Sequence, residues 1–195
     1  MKDSALVIVD MLYDFIDGSL ACLNADNAVE NTAAFIDKMT YGQNGDESEI
    51  LDTYPILFIC DHHPANHCSF KENGGIWPVH CVAGTRGGDV HETLKPYMRE
   101  ELTFYKGTDS SKEQYSGFEG KNTAGQSLGE ILELLDINNV YVAGIATEFC
   151  VRSTCEDLKK AGFNVTVLSD GLAYVDKQGH TDTLTRMKGE GFTIL

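Results

Sequence analysis

The stretch NVYVAGIATEFCVRSTCEDLKKAG, residues 139–162, joins a predicted strand directly to a predicted helix. Its apolar, β-branched first part, NVYVAGIA, is typical of a buried strand, and this run breaks at Thr147. If Thr147 is the N-cap, Cys150 lies in the first turn of the helix. Gly162 is the predicted end of this helix. One helix face is predicted from residues at steps of four, three and three: Val151, Cys155, Leu158 and Ala161. A strand that passes straight into a helix is the building unit of an α/β fold.

The rest of the chain repeats this alternation. Further apolar runs predict strands at 5–10, 56–61, 102–107, 165–170 and 192–195. Helical patterns lie at 25–40, 127–135 and 180–190. Together they predict an α/β three-layer sandwich, with a six-stranded, mainly parallel sheet and helices on both faces. The sequence contains no internal repeat and no linker, so we expect one domain over residues 1–195.

Charge and cysteine usage exclude several classes of protein. The 195 residues carry 30 acidic and 15 basic side chains, a net charge of −15. Nucleic acid and anionic membranes attract clustered Lys and Arg, so we expect neither as a partner. Six cysteines without a CxxC pair predict neither a disulfide scaffold nor a zinc finger. The first residues, MKDSALVIVD, reach an aspartate after a short apolar run, which predicts no signal peptide or membrane anchor and a cytoplasmic protein.

Reactive side chains follow four of the predicted strands. Asp10, Asp61 and Lys106 end the first, second and third strands, and Cys150 follows the fourth. Because ligands of parallel α/β sheets bind at the carboxyl edge, we expect these side chains to meet there. Each one alone has an ordinary explanation, since strand-end aspartates cap helices, lone lysines are solvated and free cysteines are usually structural. Their combination predicts a functional site.

The chemistry of these residues suits amide hydrolysis through a thioester. Cysteine attacks as the thiolate, and a helix N-terminus or a nearby cation lowers the thiol pKa. Asp10 is the candidate base that takes the Cys150 proton and returns it to the leaving amine, and Lys106 is the cation that holds them together. The backbone N–H groups of Ala146 and Cys150 are the candidate oxyanion hole.

A carboxylate and several histidines follow the second strand, in CDHHPANHCSF (60–70) and WPVHCVAGT (77–85). Asp61 and His63 stand two residues apart, with His80 as a distant third. One carboxylate and two imidazoles suit Zn, Fe or Mn rather than Ca. The spacing alone leaves a polar loop without metal equally open.

Three motifs carry a resemblance that covers nearly the whole chain: VIVDMLYDF around Asp10, FYKGTD…YSGFEG around Lys106 and GIATEFCV around Cys150. They resemble the isochorismatase-like hydrolase superfamily, whose members use an Asp–Lys–Cys triad on a Rossmann-like sheet. The resemblance implies that these three residues are catalytic. It also implies a cis peptide bond between Ile145 and Ala146. Members of the superfamily often form homo-oligomers, which leaves the oligomeric state open.

The histidine loop resembles the metal-binding segment of the nicotinamidases, also called pyrazinamidases, within that superfamily. Asp61, His63 and His80 match the metal ligands of that segment. His67 matches a fourth histidine that binds the metal in some members and not in others. His62 matches no ligand. The resemblance therefore implies one divalent metal ion, with zinc first and iron or manganese as alternatives.

The same resemblance implies hydrolysis of nicotinamide to nicotinate and ammonia, a step of NAD salvage, and leaves acceptance of pyrazinamide open. Phe15 and Trp77 match the aromatic residues that stack on the substrate ring, although both residue types are also common in cores.

Two other functions stay open: another metal-containing small-amide hydrolase of the superfamily, and a non-catalytic thiol- or metal-binding module. The segment 41–53 has no counterpart, and we expect a solvated surface loop there.

Overall fold

Parallel strands form one sheet at the centre of the protein. The structure, a computed structural model, describes residues 3–40 and 54–195, so the expected loop at 41–53 lies outside the described residues. The strands are β1 (Ser4–Val9), β2 (Ile56–Asp61), β3 (Thr103–Lys106), β4 (Asn139–Gly144), β5 (Asn164–Leu172) and β6 (Thr193–Ile194). Every pair of these strands is parallel, in the order β3-β2-β1-β4-β5-β6. The predicted six-stranded sheet is confirmed, and it is wholly rather than mainly parallel.

Helices connect the strands. The α-helices of the described residues are α1 (Tyr13–Ile16), α2 (Ala25–Thr40), α3 (Leu128–Leu134), α4 (Arg152–Lys160) and α5 (Lys177–Gly189). One π-helical turn, Thr147–Val151, leads into α4. Short 3-10 turns lie at Lys71–Asn73, Arg86–Gly88, Lys95–Tyr97 and Glu100–Leu102. None of the helices in the described ranges combines the length and the apolar character that crossing a membrane requires.

The side chains of β1 alternate between two cores, which is why helices are needed on both faces of the sheet. Leu6 and Ile8 enter a core shared with α1 and α2. Val7 and Val9 enter the opposite core, shared with α3, α4 and α5. All residues of this central strand are buried. The arrangement is the predicted three-layer sandwich.

The helix after β4 begins differently from its prediction. Its first turn is π-helical, and the residue at the N-cap is Ala146, not Thr147. The Thr147 hydroxyl instead donates a hydrogen bond to the carbonyl of Ala173 at 3.0 Å, a tertiary contact that competes with capping. Ala161 is exposed at the C-cap, so the predicted apolar face holds only for Val151, Cys155 and Leu158. Gly162, with a φ of 99°, follows the helix as predicted.

Helix α5 begins three residues before its prediction because Asp176 caps it. The Asp176 carboxylate accepts a hydrogen bond from the amide of Gly179 at 2.6 Å.

The long connection from β2 to β3 folds back over the carboxyl edge of the sheet, where bridges pair His63 with Val82 and Phe70 with Trp77. The middle of this connection, at Val82, therefore returns to the end of β2.

Candidate active site

The order of the strands brings the four strand-end residues together. β3, β2, β1 and β4 are neighbours, and Asp61 lies opposite Lys106 in the register of β2 and β3. Carboxylate oxygens of Asp10 and Asp61 and the Sγ of Cys150 lie within 4.8 Å of one another. All four side chains are buried. The structure thus places the predicted residues in one cluster at the carboxyl edge.

Lys106 is the centre of this cluster. Its Nζ lies 2.9 Å from Oδ2 of Asp10 and 3.5 Å from the Sγ of Cys150, and it also donates to Oδ1 of Asp61. Burial alone would lower the pKa of Lys106, but the carboxylates of Asp10 and Asp61, followed by Cys150, hold that pKa well above its usual value. The site therefore contains a buried cation paired with two carboxylates.

Oδ2 is the oxygen of Asp10 that is available to act as a base. Its Oδ1 accepts a hydrogen bond from the amide of Asp61 at 2.8 Å. Its Oδ2 accepts no hydrogen bond of standard geometry from the described residues, and it meets Lys106 as an ion pair. Burial, followed by the charge of Asp61, raises the pKa of Asp10 to about 6, while Lys106 opposes both. A carboxylate with a near-neutral pKa and a free lone pair is suited to general base catalysis.

The environment of Cys150 favours the protonated form of its thiol. Burial raises its pKa well above the usual value, Lys106 lowers it, and Asp10 and Asp61 raise it further. The lowering expected from the first-turn position and from Lys106 is therefore outweighed by burial. Formation of the thiolate therefore requires a nearby base that takes the thiol proton, and Asp10 lies in the same cluster.

Two backbone amides were expected to form the oxyanion hole, those of Ala146 and Cys150. Both residues border the same pocket. The peptide bond between Ile145 and Ala146 is cis, as the resemblance implies. Among the hydrogen bonds of residues 3–40 and 54–195, none has the Ala146 amide as its donor. An unpaired amide beside the thiol is suited to receive a developing negative charge.

Asp61, His63 and His80 form a second cluster, in which one potential ligand atom from each residue lies within 4.8 Å of the others. Nδ1 of His63 pairs with the carbonyl of Gly107 at 2.9 Å, and Nδ1 of His80 with that of Pro78 at 2.8 Å. Because a carbonyl only accepts, each Nδ1 carries the hydrogen and each neutral ring keeps a lone pair on Nε2. A carboxylate and two such nitrogens fit a divalent ion of the zinc type.

A cleft of about 390 Å³, its open mouth included, leads to Cys150. Phe15 and Trp77 both line it, as do the potential metal ligands Asp61 and His80. The cleft therefore offers apolar walls, a thiol and metal-binding groups to one small molecule.

Comparison with known proteins identifies the fold around this cleft. A profile of the isochorismatase domain matches residues 4–195. The chain belongs to the isochorismatase family. The nicotinamidase/pyrazinamidase of Mycobacterium tuberculosis is 34% identical over 187 residues, which cover 94% of each chain.

Solved structures of the family share the architecture. The pyrazinamidase of Pyrococcus horikoshii in complex with zinc has a TM-score of 0.80 and 34% identity, covering 99% of this chain and 98% of its own. PnC1 from L. infantum in complex with nicotinate has a TM-score of 0.82 and 30% identity, covering 100% of this chain and 93% of its own. The isochorismatase fold is thus common to all three proteins.

In this isochorismatase-family site, His67 lies beside the potential metal ligands but not among them. Its ring stacks on that of His63, with centroids 4.1 Å apart. Its Nδ1 lies 2.7 Å from the hydroxyl of Ser69, and its Nε2 lies 3.1 Å from the carbonyl of Lys112. Both ring nitrogens are therefore engaged within the protein, and the structure does not bring His67 into the cluster.

Sequence reasoning missed two aromatic residues of the pocket, Tyr115 and Phe149. Trp77 donates its indole N–H to the hydroxyl of Tyr115 at 3.2 Å, and its ring meets that of Phe149 edge-on, with centroids 5.1 Å apart. Tyr115 opens the motif YSGFEG and Phe149 precedes Cys150, so both were next to residues that the sequence did indicate. The other lining residues that no motif indicated are Leu20, Cys22, Glu113, Gln114 and Val175.

Proposed function

We propose that the protein is a nicotinamidase, which hydrolyses nicotinamide to nicotinate and ammonia through a thioester on Cys150. The observation that carries this proposal is the buried contact of Lys106 with both Asp10 and Cys150 at the end of an aromatic cleft. The name of the M. tuberculosis relative and the nicotinate bound to the L. infantum neighbour support the same substrate class.

The first half of the reaction begins when Asp10 takes the proton of Cys150. The thiolate attacks the amide carbon, the C–S bond forms, and the carbonyl electron pair moves onto oxygen. The amides of Ala146 and Cys150 donate hydrogen bonds to this oxyanion. Lys106 keeps a positive charge beside the base and the thiolate.

Asp10 then returns the proton to the amide nitrogen. The C–N bond breaks, ammonia leaves, and a nicotinoyl thioester remains on Cys150. In the second half, a water molecule gives a proton to Asp10 and attacks the thioester carbon. The C–S bond breaks, the proton on Asp10 restores the thiol, and the product acid releases its own proton to solvent as nicotinate.

We propose that Asp61, His63 and His80 hold one divalent metal ion, with zinc preferred over iron or manganese. The zinc complex of the P. horikoshii neighbour supports this order. When bound, the ion supplies a Lewis acid for which a pyridine nitrogen is a suitable ligand. Three protein ligands suffice, since both nitrogens of His67 are engaged elsewhere.

Aromatic side chains orient the ring in this proposal. Phe15 and Trp77 would stack on its faces, and Tyr115 would hold the Trp77 indole in place through its hydroxyl. The carboxamide then faces Cys150. We also propose that residues 1–195 act as one domain and that the nicotinate they release returns to NAD synthesis.

Ammonia release from nicotinamide tests the proposal. We expect equal amounts of ammonia and nicotinate from the wild-type protein and none from Cys150→Ala. Cys155→Ala is the matched control, because this second buried cysteine lies in α4 outside the cluster and should leave activity intact. Chelation should abolish activity, and added zinc, manganese or iron should restore it.

A folded, metal-loaded protein that releases no ammonia would overturn the assignment. Pyrazinamide and other small amides belong in the same panel. If one of them is hydrolysed and nicotinamide is not, the protein is another small-amide hydrolase that uses the same triad.

A further inference from the structure

The loop after β3 carries a side chain that neither the motifs nor the proposed chemistry uses, Gln114. This half-buried residue borders the pocket. Its Oε1 accepts a hydrogen bond from the backbone N–H of Gly107 at 3.1 Å, and its Nε2 donates to the carbonyl of Ser116 at 3.4 Å. The side chain therefore ties the two ends of the loop 107–116 together.

Gly107 in turn contacts His63, one of the proposed metal ligands. The Gly107 carbonyl accepts the hydrogen on Nδ1 of His63 at 2.9 Å. This leaves Nε2 as the nitrogen that faces Asp61, 3.4 Å from its Oδ2. The approach requires glycine, because φ is 63° and a Cβ at position 107 would lie 2.3 Å from Cε1 of His63.

In the described ranges, Gln114 is also the only acceptor for the Gly107 amide. The amide of His62 donates at 2.9 Å to the carbonyl of Lys106, which belongs to the same peptide group as the Gly107 amide. Farther along the loop, the amide of Cys68 donates to the carbonyl of Ser110 at 2.8 Å. Gly107 itself therefore depends on the Gln114 side chain for its amide. Glycine has more backbone freedom than any other residue, so without this bond its carbonyl can turn away from the imidazole.

We propose that Gln114 is a positioning residue for the metal centre, which fixes the orientation and the tautomer of His63 through Gly107. The inference rests on the proposed metal site. Partners of a metal-bound imidazole keep the hydrogen on the nitrogen that does not bind the ion, and their loss weakens metal binding. Gln114 holds Gly107, the hydrogen-bond partner of His63, and acts on His63 through it.

Three variants separate this role from a general effect on folding. Gln114→Ala removes the acceptor for the Gly107 amide, whereas Gln114→Glu keeps a carboxylate oxygen there. Gln178→Ala is the matched control, since the Gln178 side chain makes an exposed hydrogen bond to Asp182 on α5. Thermal unfolding of each variant shows that the fold is kept.

Zinc affinity, measured by competition with a chelating indicator, is the first readout. We expect binding about tenfold weaker in Gln114→Ala, the lower end of the loss seen for partners of metal ligands. Gln114→Glu and Gln178→Ala should keep wild-type affinity. This readout is independent of any direct contact between Gln114 and substrate.

The second readout needs no metal. Nitrogen-edited NMR of the metal-free protein, at an alkaline pH where the imidazole is neutral, should show His63 as the Nδ1–H tautomer in the wild type and in Gln114→Glu, and a mixture of tautomers in Gln114→Ala. Wild-type zinc affinity together with an unchanged His63 signal in Gln114→Ala would overturn the proposal. If the wild-type protein binds no zinc, the proposed metal centre fails, and the His63 signal alone then supports or overturns the role of Gln114.

Discussion

The Nζ of Lys106 lies 3.5 Å from the Sγ of Cys150, and both side chains are buried. A cation in this position would be costly without partners, and the carboxylates of Asp10 and Asp61 supply them. The thiol therefore sits in a buried ion-pair network, in which Lys106 favours its thiolate and the two carboxylates oppose it.

Removing the cation should destabilise the metal-free protein. Lys106→Met keeps most of the side-chain volume but leaves two buried carboxylates without their partner, which should lower the free energy of unfolding by about 3–5 kcal/mol. Urea denaturation measures this loss. Lys121→Met is the control, since Lys121 pairs with Glu130 on the surface and its loss should leave the transition unchanged. A Lys106→Met protein as stable as the wild type would show that the carboxylates are protonated.

Replacing Asp10, the proposed base, should slow the reaction without weakening substrate binding. Asp10→Asn keeps the size of the side chain and an oxygen for the Asp61 amide, but it cannot accept the thiol proton. We expect kcat to fall by about a hundred- to ten-thousand-fold, the usual contribution of general acid–base catalysis, with KM little changed. Steady-state kinetics measure kcat and KM of this variant and of Asp17→Asn, the control at an exposed aspartate. Near-normal kcat would mean that another group accepts the proton.

Adding a methyl group at position 107 should disturb the proposed metal ligand His63 directly. Gly107→Ala and Gly125→Ala both place alanine in the left-handed region, at a cost of about 1–2 kcal/mol each. Only the Cβ at 107 meets another group, Cε1 of His63 at 2.3 Å, while the Cβ at 125 meets nothing within 4 Å. We expect zinc binding to be lost in Gly107→Ala alone. Equal zinc content in both variants would show that the imidazole can shift without losing the ion.

The only tryptophan of the protein lies in the cleft and should report on ligand binding. Titrating Cys150→Ala with nicotinate should change the fluorescence of Trp77, because a stacked ring alters its surroundings. Trp77→Phe in the same background should lose the signal and bind more weakly, since the hydrogen bond to Tyr115 is gone. Calorimetry that detects binding while the fluorescence stays constant would place the ligand elsewhere.

A strand can be predicted accurately where its buried apolar run begins and ends at the same residues as the strand itself. β2 occupies residues 56–61 as predicted, since each residue of its apolar run belongs to the sheet. The predicted strand NVYVAGIA extends too far, because Ile145 and Ala146 are apolar and buried but belong to the turn that follows β4. Periodicity reports burial, so it cannot separate a buried turn from the end of a buried strand.

The residues alone predict the α/β fold and the edge of the sheet that carries Asp10, Lys106 and Cys150, since a parallel sheet collects the carboxyl ends of its strands at one edge in any strand order. The observed strand order then makes β3, β2, β1 and β4 neighbours, which brings these side chains into one cluster. The pKa of the Cys150 thiol, which burial raises, and the place of His67 outside the cluster of Asp61, His63 and His80 depend on tertiary contacts. Burial and the approach of His67 to Lys112 arise from residues distant in sequence, and no local pattern encodes such contacts.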